Sequence, residues 1–136
     1  MARCLPSLPT VPMHPLVTLL LLAATGAVGT LLRAGCNMLA IRVVGAAFPW
    51  STLVVNLAGS FAFGAIVSLA RMRAVSPELE FVLLVGLLGG FTTYSSFAFQ
   101  TTEMLATGRV ATAVAYMIAT NSLGLAAVWA GLRIFR

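Results

Sequence analysis

Gly89-Gly90-Phe91-Thr92-Thr93-Tyr94-Ser95-Ser96-Phe97 is the stretch on which the reading of this chain turns. It follows eight mostly apolar residues, Phe81 to Leu88, and places five hydroxyl-bearing residues in a row from Thr92 to Ser96. A continuous lipid-facing helix is not written this way, because paired glycines weaken a helix and adjacent hydroxyls offer its backbone alternative partners. Non-helical backbone at membrane depth persists only where it is buried in protein or lines a cavity, and carbonyls freed there form a ready cation site. The residues alone leave two readings open: part of an ion pathway, or a Gly/Ser/Thr packing face whose hydroxyls bond back to their own helix.

Membrane depth is the right frame because 60% of the 136 residues are hydrophobic and 8% charged, with mean hydropathy +1.04. Soluble domains carry about a quarter charged residues. Crossing a hydrocarbon slab of about 30 Å takes about 20 helical residues, so four crossings and short turns use most of these residues. No room is left among them for a soluble catalytic domain. Eight arginines against three glutamates, with no lysine or aspartate, give a net charge of +5. The arginines are scattered between apolar spans rather than clustered with aromatics, which makes the lipid bilayer the expected surroundings and excludes a nucleic-acid partner.

Working outward from the break, four spans are expected at about 16–44, 50–70, 77–106 and 110–132 within a single domain, 16–136. Residues 1–15, with Pro6, Pro9, Pro12 and Pro15, read as a flexible tail, and translation could start at Met1 or Met13. Leu16 to Ala24 resembles a signal-peptide core, but the apolar stretch runs on to Leu32 without a cleavage context and is read as a retained helix. Gly45 to Pro49 is a tight turn, after which Ser51 or Thr52 could cap the second helix. Ser76-Pro77-Glu78-Leu79-Glu80 reads as the capped start of the third, and Gly108-Arg109 closes it. Connections this short predict a compact antiparallel bundle in which each helix returns beside its predecessor. Gly26, Gly29, Gly59, Gly64 and Gly86 to Gly90 are candidates for close helix contacts. Counted by loop, Arg3, Arg71, Arg73, Arg133 and Arg136 lie on one side and Arg42 and Arg109 on the other, which favours termini inside. The bias is small enough that insertion in both orientations stays open.

Four further features join the break as candidate site residues. Asn56 is a strong polar side chain in the apolar second span, as a helix-to-helix tie or as a functional ligand. Arg33 is costly at depth, by roughly 2.5 to 3.5 kcal/mol at a helix centre, unless it snorkels to a helix end or faces an aqueous vestibule, where it would draw anions. Thr112, Tyr116, Thr120 and Gly124 form a stripe at steps of four, which is either packing with satisfied hydroxyls or one wall of a polar track. Cys4 and Cys36 lack metal or disulfide spacing. Catalysis is excluded as well: the one histidine is His14, and Glu78, Glu80 and Glu103 are spread over the ends of one helix, so no Ser-His pair or metal cluster assembles.

Taken together, four segments resemble the CrcB family of fluoride channels, also called Fluc. They are Gly26-x-x-Gly29-x-x-x-Arg33, Phe48 through Phe61 with Asn56, Gly86-x-x-Gly89 through Phe97, and Tyr116 through Gly124. The similarity spans about residues 23 to 131. It implies an all-α membrane protein of four transmembrane helices with the third broken near its middle, paired as an antiparallel, dual-topology homodimer in the cell (inner) membrane. Such a protein would be a passive fluoride-selective channel that exports fluoride from the cytoplasm. On matching positions the carbonyls of Gly89 and Thr92 would hold a structural sodium ion (Na+) at the dimer centre. Asn56 would donate to fluoride, Tyr94 and Phe97 would present ring edges, Ser95, Ser96, Tyr116 and Thr120 would continue the track, and Arg33 would sit in the vestibule. Tyr94 stands where the family usually has Phe, and Gln100 where an acid is common. A small dual-topology multidrug exporter would need an acid inside its first helix, and none lies between Leu16 and Val44. A non-conducting membrane assembly subunit is the other alternative.

Overall fold

The computed structural model describes residues 14–134. Most of the expected tail, together with Cys4, Arg3 and Arg136, falls outside the described residues. Four helical spans make up the rest. They are α1 (Pro15–Val44), α2 (Trp50–Arg71), a composite third span Pro77–Ala106, and α6 (Val110–Ile134). All four are long and apolar enough to cross a membrane, and the chain is a multi-pass membrane protein.

The third span is assembled from α3 (Pro77–Phe81), a π-helical stretch Val82–Leu88, α4 (Gly89–Phe91) and α5 (Tyr94–Ala106). It starts as its sequence predicts, with Pro77 in the first turn and the Ser76 hydroxyl accepting from Leu79 N–H at 3.3 Å. The break falls at Thr92-Thr93, both in extended backbone. The Thr93 hydroxyl then caps α5 by accepting from Ser96 N–H at 3.2 Å. The break is therefore a full stop and restart of the helix, and the wide π-helical turns before it are an irregularity that composition did not announce.

Two helix ends are closed by glycines with positive φ, Gly45 (79°) and Gly108 (76°), a conformation that side chains disfavour. The expected cap from Ser51 or Thr52 is not made. Pro49 takes the cap position with no side-chain bond, and Ser51 and Thr52 are buried inside the first turn of α2. The connections at 45–49 and 107–109 meet at one end of the bundle, where Arg109 Nη2 donates to the Ala47 carbonyl at 2.9 Å. Trp50 is half exposed at that end, while Trp129 carries the Arg133 guanidinium 5.0 Å above its ring at the other. Amphipathic rings at both ends suit the two lipid-water interfaces.

Successive spans lie beside one another as the short connections predict, but they are not the tightest neighbours. The second span packs most extensively on the fourth, and the first on the third. Small residues explain the difference, since helices in lipid associate where their backbones can approach. A Cβ on Gly64 would fall on the Val128 carbonyl and 3.0 Å from Leu132 N, and one on Gly131 would strike the Phe61 carbonyl. A Cβ on Gly29 would meet the Leu87 carbonyl and stand 2.8 Å from Phe91 N. Because both obstacles are backbone, Gly64→Val is expected to destabilise the protein by about 3 kcal/mol or more. Gly35→Ala, with nothing within 4 Å, should cost nothing and raise stability by up to about 1 kcal/mol, because alanine favours a helix interior, and thermal unfolding in detergent monitored by helicity checks both.

Candidate functional site

The geometry of the break is set by one side chain of the neighbouring span. Asn56 Oδ1 accepts from Thr93 N–H at 2.9 Å, and Asn56 Nδ2 donates to the Thr93 carbonyl at 3.1 Å. A primary amide carries a donor and an acceptor side by side, so it can replace both helical partners that Thr93 loses in leaving the helix. The tie that the sequence left as one of two options is present. One Nδ2 proton remains beyond it.

This arrangement also takes the helical donors from carbonyls ahead of the break, those of Gly89 and Thr92 among them. In an unbroken helix the Gly89 carbonyl would accept from Thr93 N–H and the Thr92 carbonyl from Ser96 N–H. Those amides are instead bonded to Asn56 Oδ1 and Thr93 Oγ1. Neutral backbone oxygens without helical donors are the kind of ligand that a hard monovalent cation takes in broken membrane helices. Gly89 is exposed and lines the cavity beside the break. No group of three His, Cys, Asp or Glu able to hold a metal exists among the described residues.

A cavity of about 520 Å³ opens beside the break, lined among others by Asn56, Phe63, Gly89, Thr92, Tyr94, Phe97 and Thr120. Two smaller ones lie toward the 45–49 end. The first, about 270 Å³, is lined by Arg33, Asn37, Thr93, Ser96 and Gln100 among others. The second, about 260 Å³, includes Gln100, Glu103 and Arg109. The residues nominated from sequence are thus divided. Asn56, Tyr94, Phe97, Thr120, Gly89 and Thr92 share the large cavity, and Arg33 and Ser96 share the next. Ser95 is exposed, with Oγ 3.3 Å from Thr93 Oγ1.

Tyr116 lies apart from both groups. It is wholly buried, lines none of the three cavities, and packs in a core with Leu53, Phe97, Met104 and Ala113. Its hydroxyl donates to Gln100 Oε1 at 3.1 Å. The stripe therefore divides, with Tyr116 in the core and Thr120 four residues on at the cavity. Thr120 Oγ1 is buried and finds no hydrogen-bond partner, unlike Thr25, Thr92, Thr101, Thr102 and Thr107, which bond back to their own helices.

Aromatic rings run in contact from the 45–49 end to the break. Trp50 meets Phe48 (4.6 Å between centroids), Phe48 meets Tyr116 (5.4 Å, edge-on), Tyr116 meets Phe97 (5.2 Å) and Phe97 meets Tyr94 (5.7 Å). Phe97 is held between its neighbours, whereas Tyr94 is 77% exposed. Sequence reasoning passed over Thr93, which is 8% exposed, caps α5, exchanges two backbone hydrogen bonds with the Asn56 amide and walls two cavities. A Thr preceding a helix restart, with Ser three residues on, was the available signal.

These features define a class: a small all-helical membrane protein with a polar, broken third span beside a cavity. The chain belongs to the CrcB family. The family model described as "CrcB-like protein, Camphor Resistance (CrcB)" matches residues 20–132. Curated relatives named fluoride-specific ion channel FluC include one from Rhizobium leguminosarum bv. trifolii, 42% identical over 86% of this chain and 94% of its own length. One from Thermus thermophilus is 44% identical over 85% and 92%, and one from Nitrosococcus oceani 42% identical over 83% and 91%.

If Asn56 is what allows the break, Asn56→Leu strands the Thr93 N–H and carbonyl where water is scarce. The loss should be about 2 to 4 kcal/mol of stability, and hydrogen exchange at the Thr93 amide should accelerate relative to the amides of α2.

Proposed function

We propose that this protein is a passive, fluoride-selective channel that lets fluoride leave the cytoplasm across the inner membrane. The observation that carries the reading is the match to channels named fluoride-specific over nearly their whole length. The matched region, 20–132, contains every nominated residue. The geometry supports it independently, because polar groups at the break line a cavity with no carboxylate in its lining.

A small, strongly hydrated anion must exchange water for donors. Asn56 keeps one amide proton for it, Thr120 an unpartnered hydroxyl, and Tyr94 and Phe97 ring edges, which carry the positive part of the aromatic quadrupole. Ser95 and Ser96 extend the donors past the break, and Arg33 attracts the anion into its own cavity. Tyr116 serves the path from behind, by bracing Phe97 and Gln100.

The active unit is an antiparallel, dual-topology homodimer. The carbonyls of Gly89 and Thr92, with the same pair from the second copy, would hold a structural Na+. When bound, the ion would supply a fixed positive charge, while this chain's residues supply neutral oxygens and the Asn56 clamp that keeps them out of helical bonding.

Purified protein reconstituted in liposomes should release loaded fluoride, read with a fluoride electrode, and retain chloride. Absent fluoride flux, or chloride flux of equal size, would overturn the proposal in favour of a non-conducting subunit or a different transporter. Phe97→Ile keeps an apolar side chain but removes the ring, and should reduce flux to the level of empty liposomes in protein that still elutes as a single species. Unchanged flux would refute the ring-edge role.

A further inference from the structure

The large cavity and the Arg33 cavity lie to either side of Thr93 along the bundle. The large one is walled by residues from Asn56 along α2 to Phe63 and from Thr120 along α6 to Val128, away from the 45–49 end. The Arg33 cavity is walled by Ser51 to Val55, Ser96 and Gln100, toward that end. It shares Asn37, Ser51, Thr52 and Gln100 with the third cavity beyond it. Of the described residues, Thr93 alone lines both the large cavity and the Arg33 cavity. Thr93, buried at the middle of the third span, is therefore the residue common to the cavity beside the break and to the pair toward the 45–49 end.

We infer that Thr93 is where the permeating anion crosses from one half of the membrane to the other, its hydroxyl passing the ion between the two cavities. The inference rests on the channel reading above and adds a residue to it. The Thr93 hydroxyl accepts from Ser96 N–H at 3.2 Å and donates to Ser96 Oγ at 3.0 Å. Rotation about its C–O bond turns the proton from Ser96 Oγ toward an anion on either side, while the oxygen keeps its bond from Ser96 N–H. The helix cap thus survives the transfer, and the two bonds with Asn56 hold the Thr93 backbone still during it. On one side stands the buried, unpartnered Thr120 hydroxyl. Ser96 and Arg33 stand on the other.

The competing role is capping alone, and aspartate separates the two. It caps helices about as well as threonine, but its carboxylate would repel an anion at the closest point of passage. With fluoride efflux from liposomes as the readout, Thr93→Ser should remain within about 3-fold of the unsubstituted protein, and Thr93→Asp should fall by about 100-fold at pH 7. A conducting Thr93→Asp overturns the inference. A buried carboxylate can also prevent folding, so a second variant acts after folding: Thr93→Cys in a Cys4→Ser, Cys36→Ser background, exposed to methyl methanethiosulfonate once reconstituted. The thiol should be modified, as read by mass, and flux should drop about 10-fold. A thiol that stays unmodified, or full flux after modification, overturns the crossing at Thr93. No flux from the unsubstituted protein overturns the channel reading, and the crossing with it.

Discussion

Two hydrogen bonds between the Asn56 amide and the backbone of Thr93 allow a helix to stop in the middle of a membrane. Lipid offers no substitute for a lost helical partner, and each unpaired backbone group there costs several kcal/mol. One side chain meets both demands of Thr93 at once. Everything else at the site is downstream of that exchange. The Gly89 and Thr92 carbonyls lose their helical donors, the Thr93 side chain is placed to restart the helix, and the rings of Tyr94 and Phe97 are aimed by a new helix rather than by a continuation of the old one.

Such a junction also needs cover, which the packing of the spans supplies. Gly90 sits against the Gly26 carbonyl, and Gly29 against the backbone at Leu87 and Phe91. The irregular stretch from Val82 to Phe91 is thereby sealed by the first span. The second and fourth spans close on each other through Gly64 and Gly131 in the same way. What stays uncovered is the face that carries exposed Gly89 and Tyr94 beside the large cavity. In the proposed pairing, this is the face that meets the second copy.

The four spans were legible because hydrocarbon thickness dictates their length, and the break because Gly89-Gly90 and five successive hydroxyl residues contradict a lipid-facing helix. Other features depend on contacts between segments distant in sequence. An asparagine at position 56 announces a need for partners but does not name Thr93. Short connections announced that successive helices would be neighbours, yet the close approach of Gly64 to Val128 requires knowing how α2 and α6 are rotated. The Tyr116 stripe gave a direction without a depth. Its long ring is inserted between Phe48 and Phe97, while the short Thr120 side chain on the same face reaches the cavity.

In the proposed channel, attraction and passage are separate tasks carried out by separate groups. A full positive charge in a low-dielectric cavity binds an anion strongly enough to hold it, since Coulomb energies there are many times those in water. Arg33 is kept in the cavity on the far side of Thr93 from the ring pair, so its field can concentrate the anion without holding it at the break. At the break the donors are neutral: an amide proton, hydroxyls and ring edges. Hydrogen bonds to a charged group are worth about 1.5 to 3 kcal/mol each. A few of them offset part of the lost hydration, yet any one is weak enough to be exchanged for the next, which is the condition for conduction rather than binding. Neutral donors must be held in place because they lack the reach of a charge, and this accounts for the support around them. Asn56 fixes the Thr93 backbone, Tyr116 lies against Phe97, and Phe48 and Trp50 brace Tyr116 in turn.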